Sequence, residues 1–292
     1  MSLVWKAARS AGLQGSFRVP GDKSISHRAI IFGALAKGVT RISGFLEGED
    51  TRATARIFSQ LGVRIEIPDA QSRVIHGVGL HGLHASASPL DCGNAGTGMR
   101  LLSGLLCAQA FDSVLTGDAS LSERPMARVI SKLQALGGRI SAREGNYAPL
   151  HIHGGQHLRP VEIDTGVASA QVKSALLLAA MYAEGESVIT EPRPTRDYTE
   201  AMLKSLGWPI DYSPGRVRIR GAGRLQAGDI RIPGDISSAA FFITAALLIP
   251  GSDIMLENIG INPRRTGILQ ALRLMGGRIE VFNEREQGGE PV

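Results

Sequence analysis

Cysteine is nearly absent: Cys92 and Cys107 are the only two in 292 residues, too few for a disulfide framework and without metal-ligand spacing. Aromatic residues make up 5% of the chain, leaving little with which to stack nucleobases. No run of five or six Lys or Arg occurs, although the formal charge is +5 and the pI about 9.5. Basic residues scattered singly through apolar segments suit an enzyme of small polyanions better than a nucleic-acid partner. Long hydrophobic runs are missing too. The longest candidate, Ala239 to Ile249, contains Thr244 and is about half the length a membrane helix needs. No apolar stretch follows Lys6 and Arg9, so no signal peptide is read. A cytoplasmic protein with no membrane association is expected. With 43% hydrophobic and 20% charged residues, the chain has the composition of a globular protein long enough for two domains.

What is present is a repeat. Leu61-Gly62-Val63-Arg64-Ile65-Glu66, Leu136-Gly137-Gly138-Arg139-Ile140, Leu206-Gly207-Trp208-Pro209-Ile210 and Met275-Gly276-Gly277-Arg278-Ile279-Glu280 carry one pattern, about 70 residues apart. An amphipathic helix precedes each segment, the Gly stops it, and a short alternating strand is expected after each Gly. The other half of each unit runs from a strand into a small-residue loop. These loops are Pro20-Gly21-Asp22-Lys23-Ser24, Cys92-Gly93-Asn94-Ala95-Gly96-Thr97, Asp164-Thr165-Gly166-Val167-Ala168-Ser169 and Pro233-Gly234-Asp235-Ile236-Ser237-Ser238. Four helices follow, Ile25 to Ala36, Met99 to Ala110, Ala170 to Tyr182 and Ala239 to Leu248. Each is apolar nearly all round, so burial of all four is expected. The fold class is α+β: repeated β-α-β-α-β-β units packed about a common axis.

Such loops matter because a helix start presents unpaired N–H groups and the positive end of the helix dipole. Gly and Ser let an anion come close to that backbone. Capping alone explains any single loop; four parallel loops, with basic residues beside them, point to an anion-binding cleft.

The first loop continues as Ser24-Ile25-Ser26-His27-Arg28, with Ser24 and Arg28 on one helix face. The second continues as Gly96-Thr97-Gly98-Met99-Arg100 and leads on to Glu123-Arg124-Pro125. The third continues as Ser169-Ala170-Gln171-Val172-Lys173-Ser174, and Pro194-Thr195-Arg196-Asp197-Tyr198 comes after its helix. This set, in this order, resembles the 5-enolpyruvylshikimate-3-phosphate synthases of the enolpyruvyl transferase family. The likeness runs through the whole chain. The sister UDP-N-acetylglucosamine enolpyruvyl transferases are disfavoured, because they carry Lys-Asn where Lys23-Ser24 stands and use a reactive Cys near the position of Arg124. Cys92 and Cys107 read instead as buried structural thiols.

The resemblance implies two domains on pseudo-threefold axes, each of three units. Residues 20–228 would form one complete domain. Residues 1–19 with 229–292 would form part of the other, one unit of an expected three. The implied reaction moves the enolpyruvyl group of phosphoenolpyruvate to the 5-hydroxyl of shikimate 3-phosphate, releases phosphate, and serves aromatic amino acid biosynthesis. By match to the family motifs, Lys23, Ser24, Arg28, Ser169, Gln171 and Arg196 hold shikimate 3-phosphate. Lys23, the backbone of Gly96, Arg124 and Gln171 hold phosphoenolpyruvate, where glyphosate competes. Lys23 is the catalytic candidate for proton transfer. For Arg100, a structural ion pair is as good a reading as a ligand contact. No cofactor or metal is implied, and a monomer is expected.

Against the family pattern, Ala170 replaces a common Ser, as in a distinct bacterial branch. The family's acid/base Asp, a Lys-Glu pair and two further arginines would lie beyond Val292, so residues 1–292 alone are expected to be inactive. The alternative reading is a non-catalytic anion-binding remnant. His151 and His153 alternate on a strand without a third ligand; His81 and His84 read as solvated; Glu49 and Asp50 read as capping and dipole charges. The stretch Glu284 to Glu290 reads as a loop.

Overall fold

A computed structural model describes residues 11–292 together with Val4, Lys6 and Ala8; Arg9 lies outside the described residues. The first unit comprises β1 (Gln14–Phe17), α1 (Lys23–Leu35), β2 (Lys37–Ser43), α2 (Glu49–Gln60), β3 (Arg64–Asp69) and β4 (Ser72–Val78). The second comprises β5 (Leu90–Asp91), α3 (Gly96–Leu106), β6 (Ser113–Thr116), the single turn α4 (Ala119–Ser122), α5 (Ala127–Ala135), β7 (Arg139–Arg143) and β8 (Tyr147–His153). The third comprises β9 (Glu162–Asp164), α6 (Ala170–Ala180), β10 (Glu186–Thr190), α7 (Tyr198–Ser205), β11 (Ile210–Ser213) and β12 (Arg216–Arg220). The fourth holds β13 (Asp229–Arg231), α8 (Ile236–Leu248), β14 (Asp253–Leu256), α9 (Gly267–Leu274), β15 (Glu286–Gln287) and β16 (Glu290–Pro291).

The repeated glycines do one job four times. Gly62, Gly137, Gly207 and Gly276 all take positive φ. Each donates its N–H to a carbonyl three residues back, from Ser59, Gln134, Lys204 and Arg273 respectively. That left-handed turn ends the helix and costs a glycine little.

Three four-stranded sheets share one plan, β13-β2-β4-β3, β5-β6-β8-β7 and β9-β10-β12-β11. In each, the first pair is parallel and the rest antiparallel. The first sheet borrows its outer strand. β13 pairs with β2 (Ile230↔Ile42), while β1 leaves its own unit to pair with β14 (Gly15↔Ile254). β13 thus sits on the three-unit body just past Gly228. The chain crosses itself where the first and fourth loops meet: Asp22 N–H donates to the Pro233 carbonyl (2.8 Å) and Asp235 N–H to that of Pro20 (2.9 Å).

Helices α1, α3 and α6 fill a single apolar core inside the three sheets. Close approach is built in at Gly104, where any Cβ would lie 2.0 Å from the Ala175 carbonyl oxygen of α6. Each fully buried Leu here contributes roughly 1.5–3 kcal/mol relative to exposure. Cys92 and Cys107 are buried in this core, and burial pushes each thiol up to about 12.

The fourth unit departs from expectation in three ways. Helix α8 is as apolar as the others, yet only Ile236 and Ala239 are buried, in a small core with Val19 and Leu269, while Phe241 stays 79% exposed. Burial depends on neighbours as well as on the helix itself, and among the described residues α8 has no sister helices beside it. The alternating strand expected after Gly277 is not formed, because no following strand pairs with it as β4, β8 and β12 do for β3, β7 and β11. The stretch read as a loop instead forms the hairpin β15–β16 (Gln287↔Glu290).

Candidate functional site

The starts of α1, α3 and α6 differ in how they are capped. Asp22 caps α1 by accepting the Ile25 N–H (2.9 Å), and Ser169 caps α6 by accepting that of Val172 (3.4 Å). Helix α3 follows Ala95, which has no side chain to cap it. Its first turn is the one left for an outside acceptor.

Polar side chains tie the three starts together. Gln171 of α6 donates from Nε2 to Thr97 Oγ1 (2.9 Å), and its Oε1 accepts from Arg100 of α3 (3.0 Å). Arg100 also donates to the carbonyls of Gly96 and Pro125. Among the described residues it makes hydrogen bonds and no ion pair, which corrects the ion-pair reading. Burial, then Arg124 and Arg128, lower its pKa. Arg124 is bound to Asn94 through both the carbonyl and Oδ1, and to Ser120 (3.3 Å). A Cβ on Gly96 would stand 3.0 Å from one Arg100 guanidinium nitrogen and 3.3 Å from one of Arg124. Gly96 therefore lies beneath two cations.

Lys23 is half-exposed and pairs with Asp50 (3.2 Å). Asp50 does sit in the first turn of α2, as a dipole charge, but its partner is the candidate Lys23, a pairing the sequence reading missed. Ser24 is half-buried beside it. Arg28 lies deeper, only 4% exposed. It donates to Thr199 Oγ1 (2.6 Å), the Ser24 carbonyl (2.9 Å) and Ser174 Oγ (2.8 Å), joining α1 to α6 and α7. Burial lowers it to about 10 against the pull of Glu200, so it is charged at neutral pH.

A cavity of about 350 Å³ opens at the start of α6, lined by Ala168, Ser169, Ala170, Gln171, Thr195, Arg196, Arg264 and Arg265. It gathers Ser169, Gln171 and Arg196 from the expected set. Lys23, Ser24, Arg28, Gly96 and Arg124 are not in its lining; Gly96 adjoins it through Arg100 and Gln171. Arg264 and Arg265 were not anticipated. Their signal was the repeat itself, because Asn262-Pro263-Arg264-Arg265 stands before the second helix of its unit, as Thr195-Arg196 and Arg124 do in theirs. Arg264 pairs with Asp197 and Arg265 with Asp235, both at 3.3 Å. His81 and His84 are exposed as read, although His81 makes an edge contact with Tyr182. Among the described residues no group of three His, Cys, Asp or Glu could hold a metal, and no helix is long and apolar enough to cross a membrane.

The start of α6 and three arginines, one from the third unit and two from the fourth, line one cavity on a body of repeated α+β units. The family model for EPSP synthase (3-phosphoshikimate 1-carboxyvinyltransferase) matches residues 8–290. The 3-phosphoshikimate 1-carboxyvinyltransferase of Xanthomonas euvesicatoria pv. vesicatoria (strain 85-10) is 61% identical over 288 residues, 99% of this chain and 66% of its own length. That of Xanthomonas campestris pv. campestris (strain 8004) is 60% identical over the same shares. The EPSP synthase structure from Acinetobacter baumannii superposes with a TM-score of 0.91 at 51% identity, covering 97% of this chain and 64% of that one. The chain belongs to the EPSP synthase family and has its α+β fold. It spans 66% of the length of these curated relatives.

Proposed function

We propose that the whole protein transfers the enolpyruvyl group of phosphoenolpyruvate to the 5-hydroxyl of shikimate 3-phosphate, releasing phosphate in aromatic amino acid biosynthesis. The observation that carries this reading is the cavity where Ser169, Gln171 and Arg196 converge with Arg264 and Arg265. The names of relatives at 61% identity support it. Guanidinium groups suit planar carboxylates and phosphates through paired hydrogen bonds, and a lysine supplies a mobile charge.

In this reading Ser24, Ser169, Gln171 and Arg196 hold shikimate 3-phosphate, with Arg28 adding charge from below. The open start of α3 at Gly96, with Arg124, Lys23 and Gln171, holds phosphoenolpyruvate. A proton adds to the methylene carbon while the hydroxyl, giving up its own proton, attacks the neighbouring carbon; the tetrahedral intermediate then loses phosphate and a proton from the new methyl group, which restores the double bond. Lys23, whose ammonium pairs with Asp50, passes the proton. The domain division follows the repeats: a three-unit body from Pro20 to about Gly228, with β13 packed on it, and a second domain carrying the fourth unit. The protein works in the cytoplasm as a monomer.

The test has two arms. Calorimetry of the 292-residue chain with shikimate 3-phosphate is expected to give saturable binding. Phosphate release by the full-length protein is expected to require both substrates. Absence of binding, or release without shikimate 3-phosphate, would overturn the assignment.

A further inference from the structure

Beneath the connection between β10 and α7 lies a set of buried charges with no role so far. Lys173 of α6, one turn after the Ser169 cap, is 2.7 Å from Glu191 Oε1 and 2.7 Å from Glu200 Oε1, and all three side chains are at most 2% exposed. Removing three ionisable groups from water is expensive, and well-packed apolar side chains would serve stability as well. What they add is direction. Glu191 Oε1 also accepts the Thr195 N–H (3.0 Å), and Oε2 accepts the Thr195 hydroxyl (2.5 Å). Both oxygens of one carboxylate thus fix the residue that precedes Arg196. On the other side, Asp197 is held by Asn262 (2.9 Å) and Arg264 (3.3 Å). Arg196, between the two clamps, has no hydrogen-bond or ion-pair partner among the described residues and faces the cavity. The Glu200 carboxyl is raised by burial, although Lys173 lowers it, and its Oε2 has no partner.

We propose that the buried Lys173–Glu191 pair is a positioning device. It ties the loop bearing Arg196 to the helix bearing Ser169 and Gln171, so that both walls of the anion cavity hang from one rigid element. This rests on the reading of the cavity given above. An arginine binds an oxyanion through directed, paired bonds, so a loop shift of about 1 Å forfeits much of the interaction while the charge stays in place. Lys173 acts through Arg196 and touches no ligand itself.

The experiment is calorimetry of shikimate 3-phosphate on the 292-residue chain, with a double-mutant cycle between Lys173→Met and Arg196→Ala. Lys173→Met is expected to weaken binding about tenfold, part of what a charged hydrogen bond contributes. In the Arg196→Ala background it is expected to change affinity by less than about twofold, because the group it positions is gone. A merely structural lysine would lower the melting temperature in both backgrounds and leave affinity alone. If the loss of the cation between Glu191 and Glu200 prevents folding, the triple variant Lys173→Met, Glu191→Gln, Glu200→Gln leaves no unpaired charge and is expected to show the same loss. Equal affinity of wild type and variant, or fully additive losses, would overturn the inference while leaving the cavity reading intact. Failure of the wild-type chain to bind would overturn both.

Discussion

Replacing Glu290 by Gln offers a sharp test of how the fourth unit is seated. Glu290 lies on β16 against α7, buried, with one oxygen accepting from Asn262 Nδ2 (3.0 Å) and Oε1 unpartnered. Burial pushes its carboxyl up to about 7; the Asn262 bond opposes this, Asp197 and Asp22 add to it, and Arg28 eases it. In the unfolded chain the group ionises at its ordinary value near 4.5. Between those values the folded protein keeps a proton that the unfolded chain has lost, so this group's contribution to stability falls as pH rises through the window. At about 1.36 kcal/mol per pH unit the loss above pH 7 reaches roughly 3 kcal/mol as an upper bound. His27 works the other way. Buried without a partner for Nε2, it is lowered to about 4 by burial, although Asp50 raises it. Its contribution therefore grows between pH 4 and 6.5 by a similar amount, roughly 3 kcal/mol. The two slopes mask one another in the wild type, and Glu290→Gln separates them. In urea unfolding the variant should match the wild type within about 0.5 kcal/mol near pH 4.5 and be more stable by about 2–3 kcal/mol at pH 8. The same difference at both pH values, or a variant that is less stable at pH 8, would refute the reasoning.

Arg196→Ala should weaken shikimate 3-phosphate binding by about 1.5–3 kcal/mol, as for bonds to charged groups, and calorimetry giving equal constants would contradict its assignment. Gly96→Ala should cost little stability, since the new methyl meets the side-chain ends of Arg100, Arg124 and Leu121 and no backbone. By displacing them it should weaken glyphosate inhibition of the full-length enzyme by about 1–3 kcal/mol and phosphoenolpyruvate binding by less; equal inhibition constants would move the site elsewhere. Leu105→Ala, in the filled core, should cost about 2–5 kcal/mol in chemical denaturation, whereas Phe241→Ala on the exposed face of α8 should stay within about 0.5 kcal/mol. Comparable costs at the two sites would mean that α8 is covered.

The repeat, the helix-ending glycines and the helix starts were legible in the sequence because they are local. A positive-φ turn at Gly62 or Gly207, or a cap at Asp22, is set by a few neighbouring residues. The family motifs likewise pointed to Ser169, Gln171 and Arg196, which line the cavity. Other features were settled only when distant segments met. The apolar pattern of α8 matches that of α1 and α6, and its exposure follows from what surrounds it. The exchange of β1 and β13 between units is invisible in their sequences, since a short strand pairs with whichever edge the fold brings to it. Nothing near Lys173 in the chain pairs with it; the two glutamates that do are 18 and 27 positions away. Arg264 enters the cavity because a loop of the fourth unit lies against Asp197 of the third. Periodicity and capping act over one or two turns of chain, whereas burial, strand partners and charge pairing depend on contacts between segments remote in sequence, and only the tertiary structure decides those.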